Sequence, residues 1–191
     1  MKFNELTIEQ QERAIDKNRD INVDYDGSWC EHITEEYHTK LKALGFEGVG
    51  SQYTGFSRQG DGASFTADNI DIEKFLRKTK RWSHYRKLHE MIRINDITGE
   101  VKRDHGSRYS HYNTTEALLD GDWQNDLTPA QQALYDELQQ ELDDYITEQG
   151  KEYYSDLDTC YYDLISDENV KQSIIANDMD FEETDNSVTY I

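Results

Sequence analysis

Cysteine, histidine and acidic side chains offer the first test of chemistry. Cys30-Glu31-His32, then His38, and the pair His84 and His89 supply zinc-ligand types. Their spacing does not. Residues 29–44 have a helical apolar period, so Cys30 and His32 point to different faces, and His32 and His38 are not four apart. No C-x-x-C occurs, and neither a metal nor a cofactor is expected. Nucleophilic catalysis fares no better. Gly55-Phe56-Ser57 is not a G-x-S-x-G elbow, and Cys30 beside His32 has no positioned third group. His105 and His111 flank a Gly-Ser turn, and either could act as a base in small-molecule or nucleotide chemistry around residues 104–111. No phosphate loop and no dinucleotide fingerprint appear. The expectation is a protein that is not an enzyme.

The densest functional chemistry is acidic. Asp136, Glu137, Glu141, Asp143, Asp144, Glu148, Glu152 and Asp156, continued by Asp158 and Asp163, place ten carboxylates in one segment. On a helix they average about 4 Å of axis per charge, against about 3.4 Å per phosphate along one DNA strand. Such a tract could enter a groove built for nucleic acid. A solvated helix face that keeps the protein soluble is the plainer alternative. The asymmetry is sharp. Residues 1–115 carry 18 Lys and Arg against 19 Asp and Glu; residues 116–191 carry 2 against 21.

The opposite charge collects in Lys74, Arg77, Lys78, Lys80, Arg81, Arg86 and Lys87, with Phe75, Trp82 and Tyr85 interleaved. That composition suits nucleic acid. The net charge of −20 opposes it, so the stretch is expected to be counter-charge to the acidic part, with no direct nucleic-acid contact.

These side chains need a scaffold. Leu, Ile, Val and Phe make up only 38 of 191 residues, and 13 Tyr and 3 Trp must supply much of the core. Tyr53 to Thr66 is expected to be a hairpin with a tight turn at Asp61-Gly62, because a type I′ turn needs φ > 0 at both central residues. Its loop would offer Gln59 and Asp61 to a partner. Thr7 and Gln10 form a capping box for a helix to about Lys17, and Ile21, Val23 and Tyr25 alternate as an extended segment. Trp29, Ile33, Tyr37, Leu41 and Leu44 share one helical face before Gly45. Asp68 or Asn69 is expected to cap a helix through Lys80, with Ile72, Phe75 and Leu76 inward. Met91–Ile94 and Arg108–Tyr112 are expected strands, and Thr98-Gly99 a turn, giving three to five mostly antiparallel strands between residues 51 and 120. Thr128-Pro129 opens the longest helix, with Leu134, Leu138, Leu142, Tyr145 and Ile146 inward and Gly150 a weak point. A last helix starts at Ser166, and a terminal hairpin turns at Asp185-Asn186.

The fold class expected is α+β: a small antiparallel sheet packed by helices, with a long acidic C-terminal helical part. Residues 1–125 would form the core around the Gln59–Gly62 hairpin. Residues 126–191 would be the acidic part packed on it, in a single domain overall. The opening Met1-Lys2-Phe3-Asn4-Glu5 is not an apolar leader, no apolar run spans a membrane, and two cysteines suit a cytoplasmic setting.

Four segments, Ala14–Asp26, G-F-S-R-Q-G-D-G-A-S-F at Gly55–Phe65, R-Y-S-H-Y at Arg108–Tyr112 and Ser166–Glu182, together resemble a protein family of tailed phages and bacterial prophages, sometimes labelled antitoxin-like. They cover about a third of the chain, and Q-G-D-G-A is the distinctive part. Arg58 replaces a small polar residue, and the C-terminal helix lacks the basic residues of the relatives. The resemblance implies phage origin and a host-cell setting, and supplies no catalytic residues. With the acidic tract, it leads to the expectation of a phage-encoded inhibitor of a host defence or nucleic-acid-handling protein. The alternative is an antitoxin-like regulatory module that recognises its partner through the Gln59–Gly62 loop. A dimer through the long helix is compatible with either.

Overall fold

The computed structural model describes residues 1–23, 27–94, 97–104, 106–121, 127–184 and 187–190. In chain order the elements are α1 (Ile8–Lys17), α2 (Glu31–Leu44), β1 (Phe46–Glu47), β2 (Gly50–Thr54), β3 (Gly62–Thr66), β4 (Asn69–Ile70) and α3 (Ile72–Lys78). There follow α4 (His89–Arg93), β5 (Thr98–Arg103), β6 (Thr115–Asp120), α5 (Pro129–Leu164), α6 (Asp167–Ala176), β7 (Phe181–Thr184) and β8 (Ser187–Tyr190). The fold is α+β, with small antiparallel sheets and a long C-terminal helix. The chain divides into one unit of Met1–His32 with Leu157–Ile191 and another of Ile33–Asp156. The expected boundary at 125/126 lies among residues outside the described set.

Helix starts follow local capping chemistry. Thr7 Oγ1 accepts from the Gln10 N–H (3.4 Å) while the Thr7 N–H donates to Gln10 Oε1 (2.9 Å), the reciprocal pair of a capping box. Thr128 and Gln131 repeat it at the head of α5, with Pro129 at N1. Ser166 Oγ accepts from the Asn169 N–H to open α6.

In the first unit, α1, α6 and the ends of the chain enclose Phe3, Leu6, Ala14, Ile15, Val170, Ile174, Met179 and Phe181. The Phe181 N–H donates to the Met1 carbonyl (2.9 Å), tying the two ends together. Ile21 and Asn22 lie in a turn rather than the expected extended segment, because the Ile21 N–H is taken by the Asn18 carbonyl. Tyr25, Asp185 and Asn186, where the extended segment and the terminal turn are expected, lie outside the described residues, while β7 pairs antiparallel with β8.

In the second unit, β2 and β3 pair with Thr54 opposite Gly62, and β3 continues to β5 through the Ala67–Val101 bridge. β5 pairs with β6, and β1 with β4. Residues 62–65 of β3 are all buried, so both faces of that strand are covered. Aromatic rings fill the core, as a chain short of aliphatics requires. Phe46 meets Phe65 and Phe75 edge-on and stacks on Tyr145; Tyr37 stacks on Tyr153 at 4.2 Å.

The second unit departs from the sequence pattern at several elements. The hairpin has no two-residue turn at Asp61-Gly62. Gly62 is the first residue of β3, residues 55–61 form the loop, and positive φ falls at Gly55 (47°) and Gly60 (100°). The cap of α3 is Asp71, whose Oδ1 accepts from the Lys74 N–H (2.9 Å), because Asn69 is held in β4. Residues 91–93 lie in α4 rather than a strand, since Ile92 is the buried residue of that single turn. Thr98-Gly99 begins β5, where Gly99 faces Leu119 and Ile70 instead of turning. Arg108–Tyr112 is not a strand; the strand comes after it, at β6. α5 runs through Gly150 unbroken.

Candidate functional site: the outer face of α5 and the 55–61 loop

Each carboxylate of α5 is placed by its helical phase together with what packs on the helix at its height. Asp143 and its neighbours Gln139 and Tyr135 face β6 and satisfy its outer edge. The Ala117 N–H donates to Asp143 Oδ1 (2.7 Å), the Leu119 N–H to Gln139 Oε1 (3.2 Å), Gln139 Nε2 to the Ala117 carbonyl (2.7 Å) and Tyr135 Oη to the Leu119 carbonyl (2.8 Å). An exposed strand edge needs such cover, so Asp143 is a structural residue. Glu141 also turns inward, its side chain only 18% exposed. It accepts from Tyr85 Oη (2.6 Å) and Arg81 Nε (3.1 Å). Burial and this acidic neighbour push the Tyr85 phenol well above its ordinary range. Glu137 meets His84 Nε2 at 3.0 Å.

Asp136, Asp144, Glu148, Glu152 and Asp156 are exposed. Among the described residues Asp136 and Asp144 accept only from Gln132 and Gln140, one turn earlier. Glu148 and Asp156 are exposed and have no donor among the described residues. Glu152 pairs with Lys40 of α2 (2.6 Å). Asp144, Glu148, Glu152 and Asp156 recur every four residues and form a stripe about 18 Å long. Glu36 of α2 joins it, although nothing in its own stretch of sequence signals that role. Burial, then Glu152 and Glu36, raise the Asp156 carboxyl, while Lys40 opposes them. Only about half of the expected tract is therefore brought into one outward acidic surface, and the charge step along the stripe is about 6 Å.

The 55–61 loop is braced by its own aspartate. Asp61 Oδ2 accepts from the Ser57 and Arg58 N–H groups (2.8 and 2.7 Å), so Asp61 is a loop brace, while Gln59 stands exposed near the apex. Residues 109–112 settle on this hairpin. Thr54 Oγ1 donates to the Ser110 carbonyl (3.2 Å), Ser110 Oγ to Gln52 Oε1 (3.3 Å), and His111 lies across Gly62. His111 Nδ1 accepts from the Asn113 N–H (3.2 Å), which fixes the ring. The segments Gly55–Phe65 and Arg108–Tyr112, far apart in sequence, thus form one surface. His105 lies outside the described residues.

Among the described residues no three His, Cys, Asp or Glu side chains are grouped to hold a metal. The Cys30 thiol donates to the Gly27 carbonyl (3.2 Å), and His38 Nε2 meets Ser51 Oγ (2.9 Å). A cavity of about 420 Å³ beside the β3–β5 bridge has a rim of both signs, including Asp68, Glu100 and Lys102. Its Arg103 already donates to Gln52 and to the Ser107 carbonyl. No helix among the described residues is long and apolar enough to cross a membrane.

The chain belongs to the family described as Domain of unknown function (DUF8835), which matches residues 29–167. That span holds α2 through α5, and with them the acidic stripe and the 55–61 loop. No curated protein and no solved structure matches the chain.

Proposed function

We propose that this is a phage-encoded binding protein that inhibits a host defence or nucleic-acid-handling protein by presenting the Asp144–Asp156 stripe to a basic surface on it. The observation that carries the reading is the outward row Asp144, Glu148, Glu152 and Asp156, joined by Glu36, in which Lys40 is the one cation paired among the described residues. A step of about 6 Å is sparser than DNA phosphates, so the support lies in the sign and length of the row rather than in a register matched to nucleic acid.

The test reverses only outward charges: Asp144→Lys, Glu148→Lys and Asp156→Lys together. Glu141 is left intact because it serves Tyr85 and Arg81. Circular dichroism should stay native. Capture of the host target from lysate should fall with an on-rate at least about tenfold slower, because complementary fields govern encounter. The wild-type complex should weaken steeply between about 50 and 500 mM salt. A folded triple variant that captures the same target at the wild-type rate removes this reading.

A second reading assigns recognition to the 55–61 loop, in an antitoxin-like module. It rests on Gln59, exposed on a loop that Asp61 holds in one shape. Salt-resistant capture that is lost in Gln59→Ala would favour it over the acidic stripe.

A further inference from the structure

Residues 71–94 carry eight Lys and Arg against three Asp and Glu, in a chain of net charge −20. The fold divides those cations into two sets. Arg77 and Arg93 are spent on Glu73, Arg81 on Glu141, and Lys74 Nζ on the Lys42 carbonyl. Lys78, Lys80, Arg86 and Lys87 are exposed and have no acidic partner among the described residues. The nearby acids Glu73, Glu137 and Glu141 are already answered by other residues, and Glu90, one turn beyond Arg86 and Lys87, is exposed and makes no ion pair among the described residues. Four cations against this one free acid leave a surplus of three, which repels itself unless an anion covers it.

The turn that displays them is rigid. α3 ends in a Schellman motif: the Lys80 N–H donates to the Arg77 carbonyl (3.2 Å) and the Arg81 N–H to the Leu76 carbonyl (2.8 Å). The left-handed residue of that motif is Lys80, at φ 63°, where glycine is the inexpensive choice. Two anchors hold the chain beyond it. Tyr85 is fully buried on Glu141, and Trp82 is stacked on His89 at 3.6 Å with the Arg77 guanidinium 4.7 Å from its ring centroid.

We propose that Lys78, Lys80, Arg86 and Lys87 form a phosphate-contacting surface for duplex nucleic acid. Trp82 decides between duplex and single strand. Its ring is stacked on His89 and clasped by Arg77, so it offers no platform for an unpaired base, and the surface reads backbone charge without sequence. The acidic stripe offsets it only in part. Its first member, Asp144, lies about 5 Å farther along α5 than Glu141, within the Debye length of about 8 Å at physiological salt, while Glu148 and the rest lie about 10 Å or more beyond. This proposal stands apart from the acidic-stripe reading, and its test uses naked DNA, so either can fail alone.

The experiment is fluorescence anisotropy with a labelled duplex of about 20 base pairs. Four phosphate contacts predict a slope of log affinity on log salt of about −3.6, a loss of about a hundredfold between 50 and 200 mM salt. Lys78→Gln, Lys80→Gln, Arg86→Gln and Lys87→Gln combined should abolish binding. Lys80→Gly is the internal control. It should raise the melting temperature, because glycine suits the left-handed position, while reducing the salt slope by about one contact. No anisotropy change for wild-type protein at about 100 μM in 50 mM salt, where even non-specific binding is visible, overturns the proposal. So does tighter binding to poly-glutamate than to the duplex, which would assign the surface to an acidic protein.

Discussion

His111 lies across Gly62: its Cδ2 is 2.6 Å, and its Cα 3.1 Å, from the point where a Cβ on residue 62 would stand. Gly62 is thus needed for close approach and not for a turn, since its φ is not positive. Gly62→Ala should destabilise by about 1–3 kcal/mol through overpacking. In a double-mutant cycle His111→Ala should restore much of that loss, because it removes the ring that the new methyl group would meet. Urea melts of the four proteins measure the coupling. Simple additivity would mean the two residues do not share this contact.

Asp61 makes its contribution through one oxygen. Oδ2 takes both the Ser57 and the Arg58 N–H groups, so Asp61→Ala should cost roughly 1–2 kcal/mol by releasing two charge-assisted bonds. Asp61→Asn should cost much less, because the amide oxygen can occupy the same point. Equal losses in the two variants, read by thermal melts, would show that charge rather than the acceptor position holds the loop.

Two histidines give the fold an acid-side dependence. Burial holds the His38 and His111 imidazoles below their ordinary value of 6.5, and the Lys151 ammonium lowers His111 further. The unfolded chain therefore takes up these protons first. Stability from this source is complete above 6.5 and falls as pH drops through that value toward the lower folded values. His38→Gln with His111→Gln should flatten the change in urea midpoint between about pH 7.5 and about pH 5.5. An undiminished slope in the double variant would place the dependence on other groups.

Local chemistry is legible in the sequence and tertiary use is not. Thr7-Gln10, Thr128-Pro129 and Ser166 announce helix starts because a cap is completed within three residues. The face of α2 is written in Tyr37 and Leu41, both buried. Sequence does not tell a glycine that turns the chain from one that admits a neighbour, and Gly62 and Gly99 both read as turn residues. Nor does composition separate Glu141 and Asp143, which turn inward to Tyr85 and to β6, from Glu148 and Asp156, which face out. Phase alone does not separate them, since Glu141 and Glu148, seven apart, share a face; burial depends on where residues 81–85 and β6 lie against the helix. β6 itself, Thr115–Asp120, has too little alternation to announce a strand and is completed by side chains from α5.

Gly150 sets helix propensity against packing. It occupies the interior of a 36-residue helix, where glycine costs about 1 kcal/mol relative to alanine. Propensity alone therefore predicts that Gly150→Ala stabilises. The surroundings predict the reverse. A Cβ there would stand 2.8 Å from Tyr112 Cβ, 3.2 Å from the Ala63 carbonyl and 3.3 Å from Tyr112 Cα. Two of these are backbone atoms, one in β3 and one in the segment behind His111, so neither can swing aside as a long side chain would. Ala63 is fully buried, and the Tyr112 ring is packed on His111 at 3.8 Å with the Lys151 ammonium 5.0 Å from its centroid. The helix would have to move off the hairpin or displace the 109–112 segment. The cost of such overpacking, about 1–3 kcal/mol, exceeds the propensity gain. Gly150→Ala should thus lower the urea midpoint, and it should loosen His111 as well, bringing its imidazole pKa back toward 6.5 in an NMR titration. A variant that melts higher than wild type, with the His111 titration unmoved, would show that α5 tolerates a methyl group here and that the contact with residues 109–112 is not what requires glycine.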